Sequence, residues 1–237
     1  MPAHLTAVTY NVHQWVGMDK FYDPGRGLSV LQEMRADIVG LQEVNFPKRI
    51  RHRITQTRLA GELGMELILG ETLIREQAAY GNVLLTALPV REVRKHDISV
   101  SSREPRGVLD VDLGVVLGGR GETIRVLNTH FGLSCSERRR QHRRLFDILN
   151  EGPSRPLTIL MGDFNEWIPL RFPFRRIMRL FMQIRAPRSF PTLFPLLALD
   201  RILVAPHQRL VEMHVHKSTL ARVASDHYPV VATIRSC

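Results

Sequence analysis

The sequence is poor in cysteine: Cys135 and Cys237 are its two, far apart in the chain and without metal-ligand spacing. That argues against a disulfide framework and against a cysteine-built zinc centre, and it suits a reducing cytoplasm. Long apolar runs are missing too. The longest, such as Phe194–Leu199, fall far short of the roughly 20 residues a membrane-spanning helix needs, and the first residues enter a strand pattern almost at once. Neither a spanning segment nor a signal peptide is therefore expected. No low-complexity linker divides the chain, so its 237 residues, 44% of them apolar, read as a single domain over 1–237 with a substantial core. Acid is the other shortage: 23 Asp plus Glu face 33 Lys plus Arg, a formal net charge of +10. The imbalance favours anionic partners, with nucleic acid, phospholipid and inositol phosphates all open, and it serves plain solubility as well.

What is present is a repeated pattern. Leu5–Val12 alternates as a strand, Leu28–Met34 has helix-spaced apolar residues, and Ile38–Leu41 is an apolar strand. The order returns as Ile124–Leu127, Leu145–Leu149 and Leu157–Met161. Each copy places polar residues where its first strand ends, Asn11 in one and Asn128 with His130 in the other, and an acid just after its second, Glu43 and Asp163. From Asn11 to Glu43 is 32 positions and from His130 to Asp163 is 33, so two similar half-units are expected to present strand ends to one crevice. Between them Gly81–Leu88, Ile98–Val100 and Val108–Leu113 read as further strands, the last alternating Val and Asp as at an edge or rim.

Six short stretches stand out together: TYNVH (9–13), LQEV (41–44), NTHFG (128–132), GDFNEW (162–167), LDRILV (199–204) and SDHYPV (225–230). Each alone is weak, and Gly-Asp-x-Asn is also good turn chemistry. In this order they resemble the endonuclease/exonuclease/phosphatase superfamily, which includes DNase I-like nucleases, sphingomyelinases and inositol-polyphosphate phosphatases, over residues 5 to 234. The resemblance implies an α/β fold, a four-layer sandwich of two packed mixed or antiparallel sheets flanked by helices. It also implies a phosphodiesterase using Mg²⁺, with Mn²⁺ as a substitute, most readily a nuclease. Phospholipid or inositol-phosphate hydrolysis is the enzymatic alternative, and a binding platform without catalysis the other class.

Such chemistry asks for carboxylates to hold a hard cation and for groups that activate water and steady the leaving oxygen. By resemblance Glu43 is the principal metal ligand, Asn11 supports the metal's water shell or the phosphate, and Asp226 is a further carboxylate beside His227. Asp163 handles the nucleophilic water or the leaving group, Asn165 orients phosphate oxygens, and His130 contacts phosphate. His227 either accepts a proton from water or stabilises the transferring phosphoryl group as imidazolium, and Asp200 fixes its ring. Arg106, opening a strand where many relatives carry an arginine, joins Asn128 and Trp167 as substrate-binding candidates, with Arg103 close enough for a shifted assignment.

Two basic segments bear on substrate. In ERRRQHRR (137–144) the stripe through Leu145 and Leu149 brings Arg138, Gln141 and His142 to the buried face, so Arg138 is expected to pair with an acid near the site while Arg139, Arg140, Arg143 and Arg144 face solvent. The segment 171–185 spaces Phe174, Ile177, Met178, Phe181 and Ile184 among Arg171, Arg175, Arg176, Arg179 and Arg185. This basic amphipathic helix either docks its apolar face on the sheet or contacts lipid. Trp167 beside it suits a base or a lipid interface. Val12-His13 after Asn11 lacks the acid found in relatives that repair abasic DNA, and the Trp of GDFNEW with the Phe190-to-Asp200 run resembles compact bacterial members of the superfamily.

Overall fold

The structure is a computed structural model that describes residues 4–46, 54–75, 78–117, 119–168, 173–182 and 185–235. Arg171, Ile184 and Cys237 lie outside the described residues. Eleven strands among the described residues form two sheets. The first is built from β1 (His4–Asn11), β2 (Ile38–Phe46), β3 (Glu66–Arg75), β4 (Ala78–Thr86), β10 (Leu210–Val215) and β11 (Val230–Arg235), in the order β10-β11-β1-β2-β4-β3. The second is built from β5 (Val90–Asp97), β6 (Gly107–Leu117), β7 (Arg120–His130), β8 (Thr158–Asp163) and β9 (Asp200–Ala205), in that order. Only β1 with β2 and β7 with β8 are parallel. These are the two half-units read from the sequence, each closed by a helix, α1 (Pro24–Met34) and α3 (Cys135–Glu151).

Residue parity explains the layers, because alternate side chains of a strand face opposite sides. Ala7, Ile38, Leu84, Val111, Val126, Ile159 and Ile202 meet between the sheets. Val8, Tyr10, Leu41 and Val83 turn outward to Leu28 and Leu31 of α1 and Leu59 of α2 (Gln56–Leu63). On the other outer face Leu127, Leu160 and Leu203 meet Leu145 and Ile148 of α3 and Phe174, Ile177 and Met178 of α4 (Phe174–Leu180). The result is the expected four-layer sandwich. No helix among the described residues is long and apolar enough to cross a membrane.

Three local expectations change. Ile98–Val100 is not a strand: β5 ends at Asp97, and Ile98 only donates its N–H to the Arg106 carbonyl. The Asp residues of β6 are not at a rim. Asp110 and Asp112 are buried on the outer face of an inner strand, where Arg94 and Arg125 hold Asp110 and Arg94 and Arg155 hold Asp112. Burial opposes ionisation of Asp110, yet the two guanidiniums outweigh it and hold the carboxyl down at about 2. Finally, α4 is short, and Phe174, Ile177, Met178 and Phe181 are all buried, so the apolar face of the basic segment is docked on the sandwich and closed to lipid.

Candidate active site

The inner faces of both sheets carry apolar residues until the strands end, where the same parity delivers polar ones. Asn11 follows Ala7 and Thr9 on β1, His130 follows Val126 and Asn128 on β7, Asp163 follows Ile159 and Met161 on β8, and Asp200 opens β9 opposite Asp163. The register pairs His130 directly with Asp163. On the other sheet Asn11 pairs with Gln42, and Glu43 follows as the extra residue of a bulge, where the partners of β2 step from Leu41 opposite Val83 to Val44 opposite Gly81. Glu43 has φ +55°, and Asn165 and His13 have φ +48° and +45°, left-handed backbone that side chains with a β-carbon adopt at a cost. Three strained residues at one end of the sandwich are held by the surrounding pairing.

Asn11 links the two half-units. Its Nδ2 donates to Glu43 Oε1 and to Asp163 Oδ2, each at 3.1 Å, while its Oδ1 accepts the His13 N–H at 3.0 Å. It therefore presents its nitrogen to the acids and braces them, with its oxygen already engaged. Asp200 Oδ2 lies 2.8 Å from His227 Nδ1, which makes the expected pair, and His227 Nε2 then points toward Asp163 Oδ2 at 3.8 Å. Ser189 Oγ donates to the same Asp200 oxygen, and the Phe190 ring packs 4.6 Å from the imidazole.

The titrations follow from burial and neighbours. Burial disfavours charge on His227, but the charge and hydrogen bond of Asp200, helped by Asp163 and Asp226, override it and push the imidazole up to about 10. Burial lifts Asp163 to about 6, against the pull of His227 and with a push from Asp200. His130 is held well below its ordinary value by burial, then by Arg106 and His227, so it is neutral. Arg106 Nη1 sits 3.0 Å from His130 Nδ1, which leaves the ring proton on Nε2, facing Asp163 Oδ2 at 3.6 Å and Glu43 Oε1 at 3.8 Å. Asn165 Nδ2, beside the His130 ring, donates to the Phe131 carbonyl at 2.9 Å.

Asp163, Asp200 and His227 offer ligand atoms within 4.8 Å of one another. Two of the three are already engaged with each other through the Asp200–His227 hydrogen bond, and a hard cation prefers oxygen to imidazole, so this trio reads as a proton-handling chain. The donor set that fits a hard cation is the oxygen pair of Glu43 and Asp163: hard ligands at the cleft, one of them a buried carboxylate whose raised titration an adjacent cation would relieve.

Other candidates separate. Arg106 is buried, bridges His130 and Glu104 (3.2 Å), and lines a groove of about 260 Å³ with Thr72, Lys95, Ser99 and Gly107. Arg103 is exposed and takes no part. Asp226 sits at the rim, 3.8 Å from His13 Nδ1. Trp167 is 63% exposed on the turn after β8, where the preceding Glu166 accepts from Arg138 Nε at 3.4 Å, the inward pairing expected of Arg138. Asn128 does not line the cleft. It is 0% exposed, accepts from Gln42 Nε2 at 2.7 Å and donates to the Leu41 and Val83 carbonyls, so it ties one sheet to the other in the layer below the site. Ser189 carried no sequence signal, and Gln42 and Phe190, though they lie in stretches already singled out, were assigned no role, since each acts through a partner distant in the chain.

Comparison with known proteins gives the same result. The Escherichia coli K12 protein YbhP is 28% identical over 247 aligned residues, spanning 96% of this chain and 94% of its own. A crystal structure of an endonuclease/exonuclease/phosphatase from Beutenbergia cavernae covers 99% of this chain and 72% of its own at 23% identity with a TM-score of 0.75. A family protein from Leptotrichia buccalis covers 97% and 99% at 17% identity with a TM-score of 0.74, and truncated TDP2 from Caenorhabditis elegans covers 98% and 97% at 16% with a TM-score of 0.66. These likenesses show the fold. The model of the Endonuclease/Exonuclease/phosphatase family matches residues 23–227, most of the chain and all but Asn11 and His13 of the residues just assembled, and the chain belongs to that family.

Proposed function

We propose that this protein is a divalent-metal-dependent phosphodiesterase that works with Mg²⁺ and accepts Mn²⁺. The observation that carries the reading is the convergence of Asp163 with a His227–Asp200 pair on one side and with Glu43, through Asn11, on the other. Glu43, with Asp163, would hold the metal, which when bound supplies positive charge to the phosphate and the leaving oxygen. Asp163, joined to Glu43 through Asn11 and facing His227 Nε2, is the group suited to take the proton of the attacking water. His227, paired with Asp200 and with its imidazole pushed up to about 10, is read as electrostatic stabiliser and proton donor, a reading its charge supports over that of proton acceptor. Neutral His130 and Arg106 direct N–H groups at the phosphate oxygens, with Asn165 packed beside the His130 ring.

Nucleic acid, favoured modestly by the nuclease members of the superfamily, and phospholipid offer the same scissile group, and the net charge suits both. The test is turnover of bis(4-nitrophenyl) phosphate with Mg²⁺, with Mn²⁺ and with chelator, followed by DNA, RNA, phospholipid and inositol phosphates. Metal-dependent turnover that chelator abolishes is expected. No turnover of any ester under any metal would return the chain to a binding platform.

A further inference from the structure

The apolar surface that the sequence placed on the basic helix reappears elsewhere. Loop 189–197, between α4 and β9, is pinned at its base to the site: Ser189 holds Asp200, Phe190 packs on His227, Thr192 N–H donates to the Asp226 carbonyl, and Tyr228 N–H donates to the Ser189 carbonyl. The loop closes on itself through Phe190 and Leu197, which exchange backbone bonds at 2.8 and 3.1 Å, and Phe194 N–H donates to the Pro191 carbonyl. Beyond that closure its tip offers Leu193, Phe194 and Leu196 to solvent, 57%, 76% and 60% exposed. Two other loops leaving the same end of the sandwich do likewise, with Leu133 after β7 and Trp167 with Ile168 after β8. Scattered apolar side chains on a surface are ordinary, but three prongs round one cleft mouth are not.

Charge selects the occupant. Glu104 and Glu166 at this end are held by Arg106 and Arg138. Arg185 and Arg188, just before the loop, and Arg139 and Arg140, just after Leu133, are exposed and form no ion pair among the described residues. Apolar tips backed by free cations match a surface with anionic headgroups over an apolar interior. Separate prongs also suit a deformable surface better than the flat complementary face a protein partner needs.

We propose that loop 189–197, with its Leu133 and Trp167 neighbours, seats the protein on an anionic phospholipid bilayer and delivers a headgroup phosphodiester to the cleft; the delivery half rests on the hydrolase reading above. Because the loop's base touches His227, Asp200 and Asp226, burying its tip sets the height of the site over the headgroups.

The test uses the full chain with vesicles of phosphatidylcholine and phosphatidylglycerol (3:1) and of phosphatidylcholine alone. The wild type is expected to cosediment with the anionic vesicles and to release headgroups from them. A triple variant, Leu193→Ser with Phe194→Ser and Leu196→Ser, should lose vesicle binding by more than about tenfold while its melting temperature and its turnover of bis(4-nitrophenyl) phosphate stay unchanged. Phe194→Trp should bind and show blue-shifted emission on adding anionic vesicles. Docking is overturned if the wild type ignores the vesicles or the triple variant binds them equally. It is also overturned if the triple variant instead loses DNA binding, or turns a wild-type dimer into a monomer. Vesicle binding without headgroup release overturns delivery, and a wild type inert toward the soluble diester sinks the hydrolase reading while the binding arm still reports on docking.

Discussion

The two parallel half-units, β1–α1–β2 and β7–α3–β8, share a plan and end differently. In the second the acid stands in regular register: Asp163 pairs with His130, is 1% exposed, and titrates upward under burial. In the first the register position goes to Gln42, which is buried against Thr9 and Asn128, and the bulge extrudes Glu43 beside it with its side chain 20% exposed. One extra residue thus separates a partly exposed carboxylate, open to a cation in the cleft, from a buried one held against His130 and His227. A single backbone irregularity divides the labour between two otherwise similar strand ends.

The comparison breaks most sharply at Asp163. Asp163→Asn is expected to lower turnover of a soluble diester by roughly a thousandfold, the scale of losing a positioned base. The same change should raise the melting temperature in chelator. The folded carboxyl titrates above its ordinary value of 3.8, so its contribution is favourable at low pH and is lost as pH rises through about 6. The variant should therefore gain stability at pH 8 and lose the advantage near pH 4, and melting curves at the two pH values check this.

Asp200→Asn tests what keeps His227 charged. In the wild type the rate should fall only near pH 10, as His227 loses its proton. Removing the Asp200 charge should draw the alkaline limb toward neutrality and cost roughly tenfold to a hundredfold at pH 8, read from a pH–rate profile. An unmoved limb would assign that limb to another group.

Smallest in its effect on catalysis is Asn128→Leu, in the layer where the half-units touch. It removes the side-chain donor to the Leu41 and Val83 carbonyls and one of the three acceptors of the Gln42 amide, so a loss of about 1–3 kcal/mol in stability is expected, with KM unchanged. A raised KM with unchanged stability would restore Asn128 to substrate binding.

How much was legible follows from where each signal lives. The half-units and most of the site residues are written locally, as buried strands with a polar residue of fixed parity at the end. β5 and β10 carry VREVRKHD and LVEMHV, sheet edges whose polar faces leave little period to detect, whereas Ile98–Val100 looks like a strand but caps one. Asn128 reads as a site residue because a polar group in an apolar strand needs a partner, and the sequence does not reveal that its partners are on the facing sheet. The helical stripe of α4 was visible, but periodicity does not say what covers a stripe, and the exposed apolar surface went to a loop with no period at all.

The division of labour is tested most directly by Mg²⁺ activation curves for Glu43→Gln and His227→Ala, measured side by side on bis(4-nitrophenyl) phosphate. The Glu43→Gln curve should shift to higher Mg²⁺ by about tenfold or more and climb back toward the wild-type plateau. The His227→Ala curve should keep its midpoint and plateau roughly a thousandfold lower. A displaced midpoint for His227→Ala, or a Glu43→Gln plateau that no amount of Mg²⁺ restores, would contradict the assignment of metal binding to Glu43 and of proton handling to His227.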